Sequence, residues 1–241
     1  MSFRIAINGY GRIGRCVLRA LYEKQYREKL AIVAVNDIAD PQTMTYLTKY
    51  DTTHGRFPGS VSEGEGGMVV NGDTVRMFCE EEICNLPWGM LDVDVVLECS
   101  GVLSSRREAL KHIDAGAKKV VFSHPADPEI DAIVYGVNHG ILTPDHAIIS
   151  NASCTSNCVV PILKTIDDAF GIDHGAVTTI HSAMNDQPVI DAYHHTDLRR
   201  TRCAGQSIIP VDTQLAKGIG RLLPHLEGRF QAIALRVPTI N

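Results

Sequence analysis

Two short stretches of the 241-residue chain carry residue types whose spacing suits chemistry. The first is Gly9-Tyr10-Gly11-Arg12-Ile13-Gly14, a G-x-G-x-x-G turn after the strand-like run Arg4–Asn8. In that setting the glycines let a backbone approach a pyrophosphate, and the start of a following helix offers N–H groups and the positive end of its dipole. Asp37 closes the next strand-like run, roughly 20 residues on, where a carboxylate bonds a ribose 2′-hydroxyl and repels a 2′-phosphate. The pattern predicts NAD rather than NADP. The second stretch is Ser150-Asn151-Ala152-Ser153-Cys154-Thr155-Ser156-Asn157-Cys158, joining a strand to a helix. A cysteine at a helix N-terminus is favoured as the reactive thiolate, which makes Cys154 the candidate nucleophile.

A nucleophilic thiol needs a proton acceptor. His181 follows the strand-like run Ala176–Ile180, and a residue just past a strand end can project into a cleft. From spacing alone a structural histidine is an equal alternative. Adjacent His194 and His195 read as a solvated loop. Cys154 and Cys158 have no second pair at zinc-binding spacing, so no metal site is expected. Cys16, Cys79, Cys84, Cys99, Cys158 and Cys203 read as small buried residues.

The elements that must position these groups alternate strand and helix. Runs at Arg4–Asn8, Ala31–Asn36, Val93–Glu98, Lys119–Phe122, Ile133–Val137 and Ala147–Ser150 predict an α/β fold with a doubly wound parallel sheet. The first helix has Ile13, Cys16, Val17, Ala20 and Leu21 at helical spacing. Pro58–Asp73, rich in Gly, Ser and Glu, predicts a hairpin or loop excursion. The texture changes near Ala152, giving a cofactor domain over residues 1–152 and a catalytic domain over 153–241. The helix after Cys154 would bury Val159, Ile162, Leu163, Ile166 and Phe170, with its early part disturbed by Pro161. Polar, Arg-rich sequence over Asn185–Arg202 is too long for a plain connector. A helix over Leu215–Leu223 and a strand over Gln231–Val237 follow. The chain stops soon after that strand-like run, so the expectation is an incomplete second domain of a longer protein.

Composition sets bounds. Hydrophobic residues make up 44% and charged residues 21%, which excludes disorder as the main state. Net charge is −5, which counts against a general nucleic-acid binder. Seven cysteines without tight pairing intervals, no signal peptide and no apolar run of membrane length predict a reduced, cytoplasmic protein without membrane attachment.

Taken with Lys49-Tyr50-Asp51-Thr52-Thr53-His54-Gly55 and Leu235-Arg236-Val237-Pro238-Thr239, both chemical stretches and His181 make the chain resemble the glyceraldehyde-3-phosphate dehydrogenase family along its whole length. The resemblance implies a Rossmann domain followed by the first part of an α+β catalytic domain, NAD as cofactor and a homotetramer. It implies a thioester on Cys154, with His181 moving both protons. Gly9, Gly11, Arg12, Ile13, Gly14, Asp37 and Ser123 would meet the cofactor. A small phosphorylated aldose would meet Ser153, Thr155, Arg200, Thr213, Gln214 and Arg236, the two arginines suiting a phosphate dianion. Asp186 would position Arg236, and Arg199 or Arg202 stands in for Arg200 if the loop register shifts. Glu81 falls where relatives can offer an arginine. Met184 and Gln214 depart from the glycolytic pattern, which has Thr and Gly there, and lean toward the branch that takes a four-carbon aldose phosphate. Methionine cannot donate the hydrogen bond that a threonine hydroxyl gives a phosphate.

Overall fold

The computed structural model describes residues 2–194 and 196–240; the expectation for His195 lies outside them. The chain divides into two compact units, Met1–Ile133 with Gly140–Ser153, and Val134–His139 with Cys154–Asn241.

The first unit is built from β1 (Phe3–Asn8), α1 (Arg12–Glu23), β2 (Leu30–Asn36), α2 (Pro41–Lys49), β3 (Tyr50–Asp51), β4 (Gly55–Arg56), β5 (Val61–Gly64), β6 (Gly67–Val70), β7 (Asp73–Phe78), β8 (Val95–Glu98), α3 (Arg106–Asp114), β9 (Lys119–Phe122) and β10 (Ile148–Ser150). Its main sheet runs in the order β10-β9-β8-β1-β2-β7-β6-β5. Strands β10 to β7 in that order pair parallel, and the antiparallel pairs β7–β6 and β6–β5 extend the edge. The Pro58–Asp73 excursion is thus the hairpin β5–β6. Its outgoing strand β7 completes the parallel set beside β2, an assignment its mixed polarity (Asp-Thr-Val-Arg-Met-Phe) concealed.

Both faces of this sheet are covered, as a doubly wound sheet requires. Ile5 and Ile7 of β1 pack with Leu18 and Leu21 of α1, whereas Ala6, between them, packs with Trp88, Val96, Phe122 and Ala109 of α3 on the other side. The buried face of α1 is Gly14, Leu18 and Leu21 with Arg19; Ile13 and Ala20 are exposed, so the predicted stripe is rotated. The rotation arises because Gly14 must sit against the turn it follows. Helix starts are set by local chemistry: Asp40 caps α2 ahead of Pro41, and Ser105 with Glu108 forms a reciprocal capping box on α3.

Ile133–Val137 is not a strand. Ala132 makes a single bridge to Ser150, and Val134–Asn138 curls into a turn in which the Asn138 side chain accepts from the Val134 N–H and Gly136 adopts φ +85°. Apolar residues there misled the strand reading, because a left-handed glycine and a capping asparagine decide the backbone.

The second unit contains α4 (Cys154–Phe170), β11 (Gly175–Ser182), β12 (Ile209–Val211), α5 (Leu215–Leu222) and β13 (Phe230–Val237). Its sheet runs β11-β13-β12, with β11 parallel and β12 antiparallel to β13. Ile209, Val211 and Ala234 form a small buried cluster within it. α4 continues through Pro161 rather than breaking there. Ile162, Ile166 and Phe170 of its predicted buried face are exposed, as are Ile180 and Ile233 on one face of the sheet. α5 ends ahead of Pro224, which cannot continue a helix without loss of a bond. Among the described residues no helix is long and apolar enough to cross a membrane.

Candidate functional site

In the first unit the carboxyl end of β1 turns sharply at Gly9, whose φ is +87°. A Cβ there would lie 2.3 Å from the Ser100 nitrogen, so the turn closes against the segment leaving β8 only because the residue is glycine. At Gly14 a Cβ would lie 2.4 Å from the Gly9 carbonyl oxygen, which fixes how tightly α1 docks on its own entry turn. Gly11, the N-cap of α1, has open space where a Cβ would be, and no side chain caps the helix. A backbone cradle open at a helix start is the environment a pyrophosphate needs, so the residues fit a dinucleotide. Arg12 and the exposed Ile13 are the first two helical residues behind it.

Asp37 lies just past β2, and its carboxylate accepts from the Tyr10 N–H at 2.6 Å and the Ala39 N–H at 3.0 Å. It is therefore tied to the glycine turn and half-buried. Ser123 follows β9, and its N–H donates to the Glu98 carbonyl oxygen. These residues gather at the carboxyl ends of β1, β2 and β9. In open α/β sheets ligands bind at that edge, where the strand order reverses. Glu81 is exposed in the loop beyond β7.

In the second unit Cys154 is the first residue of α4 and is exposed. Its Sγ lies 3.4 Å from Nε2 of His181. The other ring nitrogen, Nδ1, is 2.8 Å from the Ser182 carbonyl oxygen. A carbonyl only accepts, so Nδ1 carries the proton and Nε2 presents a lone pair to the thiol. His181 is the penultimate residue of β11, inside the strand rather than past its end, and pairs in register with Arg236 of β13. Strand pairing thereby aims the imidazole. Just before α4, buried Ala152 holds φ +54°, a strained conformation for a residue with a Cβ and the kind of strain that concentrates at functional turns.

Arg236 and Arg200 converge on one carboxylate. Asp186 Oδ1 lies 3.1 Å from Arg236 Nη1, and Asp186 Oδ2 lies 3.0 Å from Arg200 Nη1. Arg199 instead pairs with Asp197 and Asp212, and Arg202 with Asp191, so neither takes the place of Arg200 at Asp186. The Arg199 guanidinium holds the Asp197 carboxyl below the usual carboxylate range. Thr213 accepts from the Leu215 N–H at the start of α5, and exposed Gln214 is that helix's N-cap. Met184 is exposed, Thr155 is the second residue of α4, and Ser153 precedes Cys154. His194 accepts at Nδ1 from the Thr196 and Asp197 N–H groups, a turn-forming role.

All seven cysteines are free thiols. Cys79, Cys84 and Cys158 are exposed, against the expectation that they are buried: two lie in the segment beyond β7, and Cys158 lies one turn into α4. Burial pushes the Cys99 thiol up to about 11 and raises Cys16 as well, which keeps both protonated. Among the described residues no group of three or more His, Cys, Asp or Glu side chains is placed to hold a metal ion.

Reading the sequence alone missed the buried polar residues Asn8, Asn36 and Glu98. The available signal was that each ends an apolar strand. The comparison with known families gives two matches. The family model for glyceraldehyde 3-phosphate dehydrogenase, NAD binding domain, covers residues 3–106, and that for glyceraldehyde 3-phosphate dehydrogenase, C-terminal domain, covers residues 153–241.

Proposed function

The chain belongs to the glyceraldehyde 3-phosphate dehydrogenase family, and from that premise we propose that it oxidises D-erythrose 4-phosphate to 4-phosphoerythronate, a product that serves pyridoxal phosphate synthesis. That it is an NAD-dependent oxidoreductase follows from the family itself. The observation that carries the proposed chemistry is the 3.4 Å approach of Cys154 Sγ to an imidazole nitrogen whose partner nitrogen is fixed on a carbonyl.

His181 Nε2 accepts the Cys154 proton, the thiolate adds to the aldehyde carbon, and His181 returns the proton to the carbonyl oxygen to give a neutral hemithioacetal. Bound NAD⁺ supplies the hydride acceptor. Loss of hydride from that carbon, with the hydroxyl proton passing to His181, leaves a thioester on Cys154. His181 gives that proton to solvent and takes another from the attacking water as its oxygen adds to the thioester carbon. The C–S bond then breaks, the proton returns to the Cys154 thiolate, and the acid product ionises to the carboxylate. Arg200 and Arg236, held side by side by Asp186, offer their remaining N–H groups to the substrate phosphate. Thr213 and Gln214 at the start of α5 complete the polar surroundings of the substrate.

Met184 and Gln214 support the four-carbon substrate. A thioether at 184 cannot donate to a phosphate as a threonine hydroxyl does, which favours a different phosphate pose and a longer aldose. The deciding experiment compares turnover of erythrose 4-phosphate and glyceraldehyde 3-phosphate, each with and without inorganic phosphate. Preference for the tetrose, with turnover in the absence of inorganic phosphate, is expected. Preference for the triose with a strict phosphate requirement makes the protein a phosphorylating glyceraldehyde-3-phosphate dehydrogenase. NAD⁺ binding without turnover of either aldehyde leaves a binding module only.

A further inference from the structure

Three neighbouring parallel strands end on buried polar side chains: Asn8 on β1, Asn36 on β2 and Glu98 on β8. Register places them in one row, Asn8 opposite both Asn36 and Glu98. Glu98, fully buried, accepts from Asn8 Nδ2 at 2.6 Å, the Ser100 N–H at 2.8 Å and His112 Nε2 at 3.1 Å. Asn8 Oδ1 accepts from Asn36 Nδ2 at 2.8 Å. The Asn36 amide then closes on the backbone of Glu80, giving to its carbonyl and taking from its N–H, both at 2.9 Å.

At the other end, Trp88 Nε1 donates to His112 Nδ1 at 3.0 Å. An indole N–H only donates, so Nδ1 bears no proton and Nε2–H gives to Glu98. One chain of hydrogen bonds therefore runs from Trp88 through His112, Glu98, Asn8 and Asn36 to the backbone of residue 80. Burial pushes the Glu98 carboxyl up, but the donors from His112, Ser100 and Asn8 outweigh it and hold the group ionised, below its ordinary range.

Each link grips a turn on the carboxyl edge of the sheet. Asn8 carries the glycine turn, Ser100 belongs to the turn after β8, and Glu80 to the loop after β7. Glycine at position 9 lets the first two turns touch. A dinucleotide lies at the edge where β1 meets its two neighbours. We propose that Glu98 and His112 are positioning residues for the cofactor: acting through Asn8, Asn36 and Ser100, they fix the separation of the three turns that receive it. This rests on the NAD-binding assignment of the first unit.

The chain has a single tryptophan, and it is wired into this network, so the free protein carries its own reporter. The test uses the full chain with Glu98→Gln, which in either amide orientation sets a donor against at least one of the donors now facing the carboxylate, and Asn36→Ala, which removes only the outermost side chain of the network. NAD⁺ affinity is measured by calorimetry, Trp88 emission in the free protein, and KM for NAD⁺ separately from KM for the aldehyde. For Glu98→Gln the expected result is altered Trp88 emission, NAD⁺ affinity weakened by about tenfold, and a matching rise in KM for NAD⁺ against a small change in aldehyde KM. Asn36→Ala is expected to weaken NAD⁺ while leaving Trp88 emission close to wild type, and it carries the test alone should Glu98→Gln not fold. Unchanged NAD⁺ affinity in a folded variant, or equal losses for both substrates, overturns the proposal. Failure of the wild-type chain to bind NAD⁺ overturns the cofactor assignment instead.

Discussion

Replacing Asp186 by Asn separates two ways in which this carboxylate could act. Its oxygens meet Arg236 and Arg200 at 3.1 and 3.0 Å, and the three side chains are 35%, 10% and 27% exposed in the order Asp186, Arg236, Arg200. At an effective dielectric constant of about 20, each arm carries roughly 5 kcal/mol of Coulomb attraction before desolvation. Net of lost hydration, a charge-assisted hydrogen bond contributes about 1.5–3 kcal/mol, and partial exposure places these two toward the lower end. Asparagine keeps the shape but turns one acceptor into a donor aimed at a guanidinium. One arginine is then released from its place, at a cost of about 2 kcal/mol, which corresponds to roughly 30-fold.

The direction of that change is informative. If Asp186 holds the arginines in the geometry a phosphate needs, Asp186→Asn lowers kcat/KM for the aldose phosphate by about 10- to 50-fold, mostly through KM. Inhibition by inorganic sulfate, which tolerates loose geometry, stays within a few-fold of wild type. If the carboxylate acted only as a negative charge repelling the phosphate, its removal would tighten both ligands. Steady-state kinetics with sulfate as competitor decides between them. A fall in KM for the aldose phosphate refutes the positioning argument.

Further substitutions probe other links. Cys154→Ser is expected to abolish acyl-enzyme in mass spectrometry while NAD⁺ affinity by calorimetry stays within a few-fold; persistence of turnover would remove Cys154 from the mechanism. Asp37→Ala is expected to narrow the preference for NAD⁺ over NADP⁺ by an order of magnitude or more, as seen in the ratio of their kcat/KM values, because the carboxylate repelling a 2′-phosphate is gone. Gly9→Ala combines a left-handed backbone with a Cβ contact of 2.3 Å; the cost is about 3 kcal/mol, a fall in melting temperature of roughly 6–12 °C. For Glu98, a depressed folded pKa means stability that is present above the ordinary value of 4.5 and lost as pH falls through the folded value. The melting-temperature gap between wild type and Glu98→Gln is therefore expected to be widest near neutral pH and to narrow as pH falls below 4.5.

Much of the first unit was legible because its signals are local. β1, β2 and β9 follow β-branched runs, and the glycine spacing fixes the first turn together with its cofactor chemistry. What failed did so for identifiable physical reasons. Val134–Asn138 has the apolar residues of a strand but the turn chemistry of Gly136 and Asn138. The register of α1 was rotated because Gly14, with no side chain to count as apolar, is the closest point of contact. In the second unit Cys154 and His181 were identifiable as types, but their meeting brings the start of α4 to the end of β11 across 27 positions of sequence, which no spacing reveals. Which of Arg199, Arg200 and Arg202 shares Asp186 with Arg236 likewise depends on how four carboxylates, Asp186, Asp191, Asp197 and Asp212, sort them.

The two candidate sites share one device. The groups offered to a ligand are already held by a second polar group before the ligand arrives: His181 by the Ser182 carbonyl, Arg200 and Arg236 by Asp186, Asp37 by the Tyr10 and Ala39 N–H groups. A guanidinium or imidazole left free would lose side-chain freedom on binding, about 0.5–1.5 kcal/mol for each flexible group. Fixing them in the folded protein moves that cost into folding, where it is offset once by burial and strand pairing rather than at every encounter with substrate. It follows that removing a holding group need not destroy the chemistry. A variant at Asp186 keeps Cys154 and His181 in register on α4 and β11, so its deficit should fall on substrate KM, whereas a change at His181 removes a proton carrier and should fall on kcat.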